Sequence, residues 1–435
     1  MTLLRPLLCL AALLAAPLNQ AAQLALVGGT LIDGTDAPPL PNSVVLIDGS
    51  DIVAVGTVAG LRIPDGYTRI STEGMTVLPG LWDNAVQLQY AGHPDPDHWL
   101  HHYGHDSATL AATATQLLQA GVTSVRDVGA GLHGILQLRQ ALRQGASAGP
   151  KLFASGPVLI PTKGPVRPSL LAVDGSEDAE VRTRELIEQG VDLIRIGGAA
   201  GGDEETLSAI VAMAHRYGLR VVAGGSSDAE IRRALAAGVD ELLHIGVDTP
   251  LYSAELLQLI RARTAHGPPL YWTPTVGQVL GPQWLALDRE WLDDPRNYAG
   301  LTPMQEQDLR QAIAQHAYPA PSTETIDTLR RKLAQLQQAG VRLVFGSGLG
   351  QLGQPPAQAT WRELDYWVND LGMEPAAALR WATAEAADYV GMGAITGTIT
   401  RGRKADLIAV PGNPLRHLEV LGSPVIVIRH GVRYR

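Results

Sequence analysis

Polar and apolar positions along this chain follow two different periods. From Leu24 to Ile70, in LALVGGTLID and SVVLIDGSDIVAVG, short alternating runs are broken by Gly, Asp and Pro turns, which predicts strands and hairpins. The same pattern returns in ITGTITRGRKADLIAVPG and SPVIVIRHGVRYR. A small β-sandwich domain formed by both termini, residues 23–80 and 393–435, is therefore expected, with everything between inserted into it.

The insertion, residues 81–392, carries a recurring signature: QAGVTSVRD, EQGVDLIRI, AAGVDELLHI and QAGVRLVFG. Each reads as a helix end followed by a buried parallel strand. Gly121, Gly190, Gly238 and Gly340 stand where the helix stops in a left-handed conformation that glycine adopts at little cost. The spacing upstream predicts helices over Ser107 to Ala120, Ala179 to Gln189, Asp228 to Ala237 and Thr323 to Ala339. Apolar runs at Trp82 to Leu88, Lys151 to Ser155, Leu219 to Ala223 and Leu270 to Thr273 complete eight strands, so the fold class is α/β and the architecture a (β/α)8 TIM-type barrel. One long Trp- and Pro-rich stretch, Gly281 to Ser322 with Trp284 and Trp291, breaks the rhythm, either as a lid over the barrel mouth or as a peripheral insertion.

At 435 residues and 46% hydrophobic, the chain can bury a large core. Its net charge of -9, without any basic run, excludes nucleic acid as the expected partner. Residues 1–22 place Arg5 before the apolar run Pro6 to Leu18 and the small residues Ala21 and Ala22, the pattern of a cleaved signal peptide, with no later membrane span. A periplasmic or secreted location follows. The single cysteine, Cys9, lies inside that segment, so the mature chain has neither disulfides nor thiolate chemistry.

Met75 to Leu81 reads as a strand running into the Pro79-Gly80 turn, and VLPGLWDNAVQLQY continues into the first barrel strand. VLPGLWD resembles the segment by which amidohydrolase superfamily proteins lead into their catalytic barrel, and GTITRGRKADLIAV resembles their C-terminal β-domain segment. GVTSVRDVGAG, GPKLFASGPVL, AMAHRYGLRVVAG and MEPAAALRWATAEAADYVGM are similar to the imidazolonepropionase-like and prolidase-like exported branch. The resemblance implies metal-dependent hydrolysis of cyclic amides or dipeptides, and a ligand set at the strand ends.

That ligand set is largely replaced. The two histidines that the resemblance places on strand one fall on Ala85 and Gln87, the strand-four lysine on Arg195, the strand-five histidine on Gly224, and the strand-eight aspartate on Gly348. His244 alone is retained, on strand six. Methyl, amide, guanidinium and bare backbone do not hold a zinc-type ion, and without the aspartate no general base remains at these positions. No metal is expected there. His244 is the sole catalytic candidate, with a hydrogen-bonded structural role as its alternative.

Other chemistry is on offer. HPDPDHWLHHYGHD contains His93, His98, His101, His102 and His105; on a helix His98, His101, His102 and His105 share one face and form a relocated metal site, or else the segment is a polar surface loop. Zinc is expected only if this segment is a site. GSGLG at Gly346 fits neither a nucleophile elbow nor a dinucleotide loop, and Ser226-Ser227-Asp228 reads as a helix cap. Arg126 and Asp127 either pair with each other or orient a ligand.

Together these features predict a metal-free pseudoenzyme. Gln87, Arg195, His244 and Ser347 would bind a small, anionic ligand, with Asp83 as an internal alternative partner for Arg195. The alternatives are a hydrolase of dipeptide or cyclic-amide C–N bonds with a relocated or absent metal, and a structural subunit of a mixed oligomer with a catalytic homologue; the expected assembly is a homo-oligomer or a hetero-oligomer with an active homologue.

Overall fold

In the computed structural model the described residues are 23–104, 107–161, 167–198, 202–287, 290–320 and 322–435. The expected signal peptide, residues 1–22, lies outside them. Among them no helix is long and apolar enough to cross a membrane.

Both chain ends build the β layers. Gln23–Val27 pairs with Ser43–Asp48 and Thr68–Ser71 in a four-stranded sheet. In a second sheet, of five strands, Leu407–Pro411 runs antiparallel to Met75–Pro79, with Leu407 opposite Pro79. Side chains of the two sheets share one apolar cluster that includes Leu26, Val45, Ile47, Val77, Leu407 and Ile428. Removing these alternate positions from water is what holds the N- and C-terminal segments together.

The inserted region is α/β and consistent with a TIM-type barrel. Leu81–Val86, Val122–Asp127 and Lys151–Ala154 form a parallel three-stranded sheet. Ile194–Arg195, Val221–Gly224, Glu241–Leu243, Tyr271–Thr273 and Arg342–Leu343 form a parallel five-stranded one. Backbone bonds link their edges: the Asp192 amide donates to the Ala154 carbonyl (2.8 Å) and the Gln87 amide to the Leu349 carbonyl (2.9 Å).

The expected helices are present as Ser107–Gln119, Gly175–Glu188, Asp228–Ala237 and Thr323–Gln338. Gly121, Gly190, Gly238 and Gly340 all have φ between +82° and +87°, so the repeated glycine marks the helix-to-strand reversal as expected. Helix Gly175–Glu188 begins four residues earlier than its apolar spacing implies, with Glu177 and Asp178 in its first turn, where carboxylates favour the positive end of the helix dipole. Ser227 caps the helix Asp228–Ala237 through a capping box with Glu230.

The Trp- and Pro-rich stretch has structure of its own. It contains the helix Pro303–Gln315, started by Thr302 and Pro303. That helix packs Leu309 and Ile313 on Trp99 and Ala91, from the segment following the first parallel strand. Burying such side chains contributes about 1.5–3 kcal/mol each. The stretch is thus fastened over the loop after strand one, on the side where parallel strands end and barrel sites form.

Candidate functional site

Two side chains define the ends of strands four and six. Arg195 closes its strand, is 8% exposed, and donates through Nη1 to the carbonyls of Ile196 and, at 3.4 Å, Val222. Among the described residues no carboxylate lies within ion-pair distance of it. Burial pulls its affinity for a proton down to about 10, with Glu230 and Glu241 opposing from a distance, so it remains cationic at neutral pH. Asp83, the internal partner that the sequence offered it, is committed elsewhere.

His244 follows strand six with φ +72°, and Thr275 follows strand seven with φ +49°. Non-glycine residues seldom occupy this region, and the strain persists only where surrounding structure enforces it. Here the enforcing contacts are visible. His244 Nδ1 lies 2.9 Å from Thr275 Oγ1, and the fully buried Trp272 donates its indole N–H to the His244 carbonyl at 2.7 Å. Burial and the Arg195 charge push the imidazole down to about 3, so it is neutral. A neutral imidazole beside a guanidinium with spare donors suits an anionic ligand.

The other positions at which the resemblance expects ligands are packed by their neighbours. Ala85 is buried in an apolar cluster with Val128, Leu193, Val222 and Leu243. A Cβ on Gly224 would stand 2.7 Å from Glu230 Oε1, and one on Gly348 would stand 2.5 Å from Gln278 Nε2 at a φ of +72°. Gln87 accepts a hydrogen bond from the Gln351 amide. Apolar packing, Glu230 and Gln278 therefore occupy the space that further metal ligands require, and a hydrolytic metal does not fit these residues.

Ser347, expected to face the ligand, is fully buried and turned inward instead. Its hydroxyl donates to Asp83 (2.6 Å), which Thr360 Oγ1 also reaches (2.8 Å), while Ser347 Oγ accepts the Leu349 amide (3.1 Å). The serine props up Asp83, whose buried carboxyl is raised above its ordinary range by desolvation. Arg126 and Asp127 do not pair with each other. Arg126 is bidentate to Glu241 at 2.6 Å for each bond, with Tyr389 and Thr273 completing a buried network. Asp127 instead accepts the Leu88 and Gly129 amides and is pushed up to about 6 by burial.

The histidine segment forms a helix, Pro96–Tyr103, capped by Asp95, but its shared face is not the cluster. His101 and His102 are exposed, and His105 lies outside the described residues. The imidazoles that converge are His93 and His98, on Asp308 of the helix Pro303–Gln315: His98 Nε2 is 2.9 Å from Oδ2 and His93 Nε2 is 4.0 Å from Oδ1. These three could hold a metal ion, their ligand atoms all lying within 4.8 Å of one another. Sequence periodicity singled out His98 and missed Asp308, 210 residues away, because the contact depends on how the long insertion folds back.

Glu241, Thr275 and Glu363 were also missed. Glu363 is fully buried, accepts the Val276 and Gly277 amides (3.1 and 2.7 Å) and the Trp367 indole N–H (2.9 Å), and is pushed up to about 8 by burial. A charged residue on an otherwise apolar strand or helix face was the available signal for Glu241 and Glu363.

Comparison with known proteins agrees with this architecture. An ochratoxinase from Aspergillus niger is 28% identical over 463 residues, covering 95% of this chain and 86% of the relative. A prolidase-like protein from Bifidobacterium longum superposes with a TM-score of 0.72 at 27% identity over 95% of each chain. A prolidase solved with n-methylphosphonate-l-proline gives 0.68 at 25% identity, over 95% of this chain and 100% of the other. The amidohydrolase family matches residues 76–432. That match spans the whole α/β region with the strand Met75–Pro79 from its second residue and the C-terminal β strands, and the chain belongs to the amidohydrolase family.

Proposed function

We propose that this protein is an exported, metal-free member of its family at the inherited centre, a pseudoenzyme that binds a small carboxylate-bearing molecule in the mouth of the barrel. The observation that carries the reading is Arg195, a buried guanidinium with no ion-pair partner among the described residues, at a position where the resemblance expects a lysine that bridges metals. A buried unpaired charge is costly, and a carboxylate from a ligand is the group that best offsets it. Nε2 of His244 supplies a neutral polar contact near that charge, the amide of Gln87, held by Gln351, would supply another, and Ser347 acts indirectly by holding Asp83.

Several features support the rest. The eight parallel strands with bonded edges support a closed barrel, and the shared apolar cluster supports a terminal β-sandwich. The leader-like residues 1–22 support export to the periplasm or beyond. The prolidase relative was captured with a proline derivative, which is a small carboxylate. A hetero-oligomer with an active homologue would give such a binder a catalytic context; a homo-oligomer is the other assembly proposed.

Calorimetric titration with N-acyl amino acids and dipeptides tests the proposal. Arg195→Met should weaken binding by roughly 10- to 150-fold, the loss of a hydrogen bond to a charged group at about 1.5–3 kcal/mol. Equal affinities in variant and parent would remove the reading. The relatives favour a second one, hydrolysis of dipeptide or cyclic-amide C–N bonds. Steady turnover of such compounds by the parent protein would establish that reading in place of the first.

A further inference from the structure

We infer that His93, His98 and Asp308 form a zinc-type metal site that latches the inserted helix Pro303–Gln315 to the loop after the first parallel strand. The inference stands apart from the ligand proposed for Arg195.

His93 points to a ligand. It is 2% exposed, and its Nε2 has no hydrogen-bond partner. An imidazole nitrogen buried without a partner costs about 1–3 kcal/mol, and a metal would remove that cost. The ring is clamped by stacking on Trp99 (5.5 Å) and His98 (5.3 Å). Its Nδ1 lies 2.7 Å from the Asp95 carbonyl and 3.0 Å from the Asp95 amide. These contacts exclude each other, and a metal selects the shorter, in which Nδ1–H donates to the carbonyl and Nε2 offers its lone pair. That is the tautomer-fixing arrangement usual behind metal-bound histidines.

The geometry requires little movement. Tetrahedral zinc with bonds of about 2.0–2.1 Å sets its ligand atoms about 3.4 Å apart. The present separations include 2.9 Å from His98 to Asp308 and 4.0 Å from His93 to Asp308, with none above 4.8 Å. Two imidazoles and one carboxylate suit zinc better than calcium or magnesium, and leave the fourth position to water. On binding, His98 takes the tautomer with its ring proton on Nδ1, which frees the Nε2 lone pair, and Nε2 and the Asp308 carboxylate both turn to the ion. Tyr103, whose hydroxyl bonds Asp308, steadies the carboxylate from the side.

Because Asp308 belongs to the inserted helix and the histidines to the strand-one loop, the ion would add a polar fastening to the Leu309, Ile313 and Trp99 contact. Tag-free protein, stripped with a chelator and dialysed against zinc chloride, should take up one equivalent. Cobalt(II) should give the visible bands of a four-coordinate site. Asp308→Asn and His93→Gln should each weaken zinc by at least about 10- to 100-fold, the range that even outer-shell changes produce. His98→Gln keeps a donor for Asp308, so it should fold and yet lose the cobalt spectrum. His101→Ala with His102→Ala should bind normally, and zinc should shield residues 281–322 from protease in the parent but not in Asp308→Asn. No stoichiometric uptake by the parent would overturn the inference, as would binding that survives Asp308→Asn or depends on His101 and His102, since the exposed histidines would then be the ligands.

Discussion

Replacing Arg195 by Met separates what the guanidinium costs from what it does. The side chain is 8% exposed, and its Nη1 reaches only the Ile196 and Val222 carbonyls. Its proton affinity falls from the ordinary guanidinium range to about 10, chiefly through burial. At about 1.36 kcal/mol per decade, the charged form costs the folded state about 3 kcal/mol. A base whose folded pKa is depressed binds fewer protons folded than unfolded between those two values, so the penalty is complete below pH about 10 and fades above it. Methionine keeps the aliphatic stem and removes the charge, at the expense of some packing and two carbonyl contacts. The expected net gain is about 1–3 kcal/mol at pH 7, in line with replacing buried charge by apolar groups elsewhere. Chemical denaturation of parent and variant at pH 7, without ligand, measures it. A variant less stable than the parent by more than about 1 kcal/mol would refute the reasoning, because the fold itself would then be compensating the charge. A variant that is more stable and no longer binds carboxylates would show a site maintained against stability, as binding sites often are.

Glu241→Gln leaves Arg126 buried with its bidentate partner neutralised, and should destabilise by about 3–5 kcal/mol in the same measurement. Gly348→Asp, which puts an acid where the resemblance expects one, must adopt φ +72° and displace Gln278 from 2.5 Å; it should lower stability by about 1–3 kcal/mol and recruit no zinc in equilibrium dialysis beyond the equivalent assigned to His93, His98 and Asp308. Glu363, with its folded pKa raised to about 8, holds a proton that the unfolded chain releases near 4.5. Its contribution is therefore present below pH 4.5 and lost as pH rises through 8. Denaturation midpoints should fall between pH 6 and 8.5, and Glu363→Gln should flatten that slope.

What could be seen in the sequence was whatever depends on near neighbours. The glycine after each helix, the Ser227 cap and the apolar strand runs are set by backbone sterics and local hydrogen bonds, so the barrel-like order of elements was legible. The site was legible only where one residue type decides the chemistry: a methyl at Ala85 or a guanidinium at Arg195 fails as a metal ligand in any surroundings. Partnerships were not, because they cross the chain. Arg126 meets Glu241 at a separation of 115 residues, Ser347 meets Asp83 at 264, and His98 meets Asp308 at 210. Helical periodicity grouped His98 with His101 and His102, but which face of Pro96–Tyr103 matters is set by the inserted helix that packs on it.

Those distant partners change the meaning of the substitutions. A side chain at Gly348 is strained by its φ of +72° whatever the space around it, and neighbours crowd both Gly224 and Gly348. Glu230 and Gln278 now stand within 2.7 Å of where the restored Cβ atoms would go, and Glu230 also caps a helix. Ala85 contributes to an apolar cluster with residues of strands two, four, five and six or beside them. Restoring a working metal centre would thus require neighbours to be repacked along with the ligands.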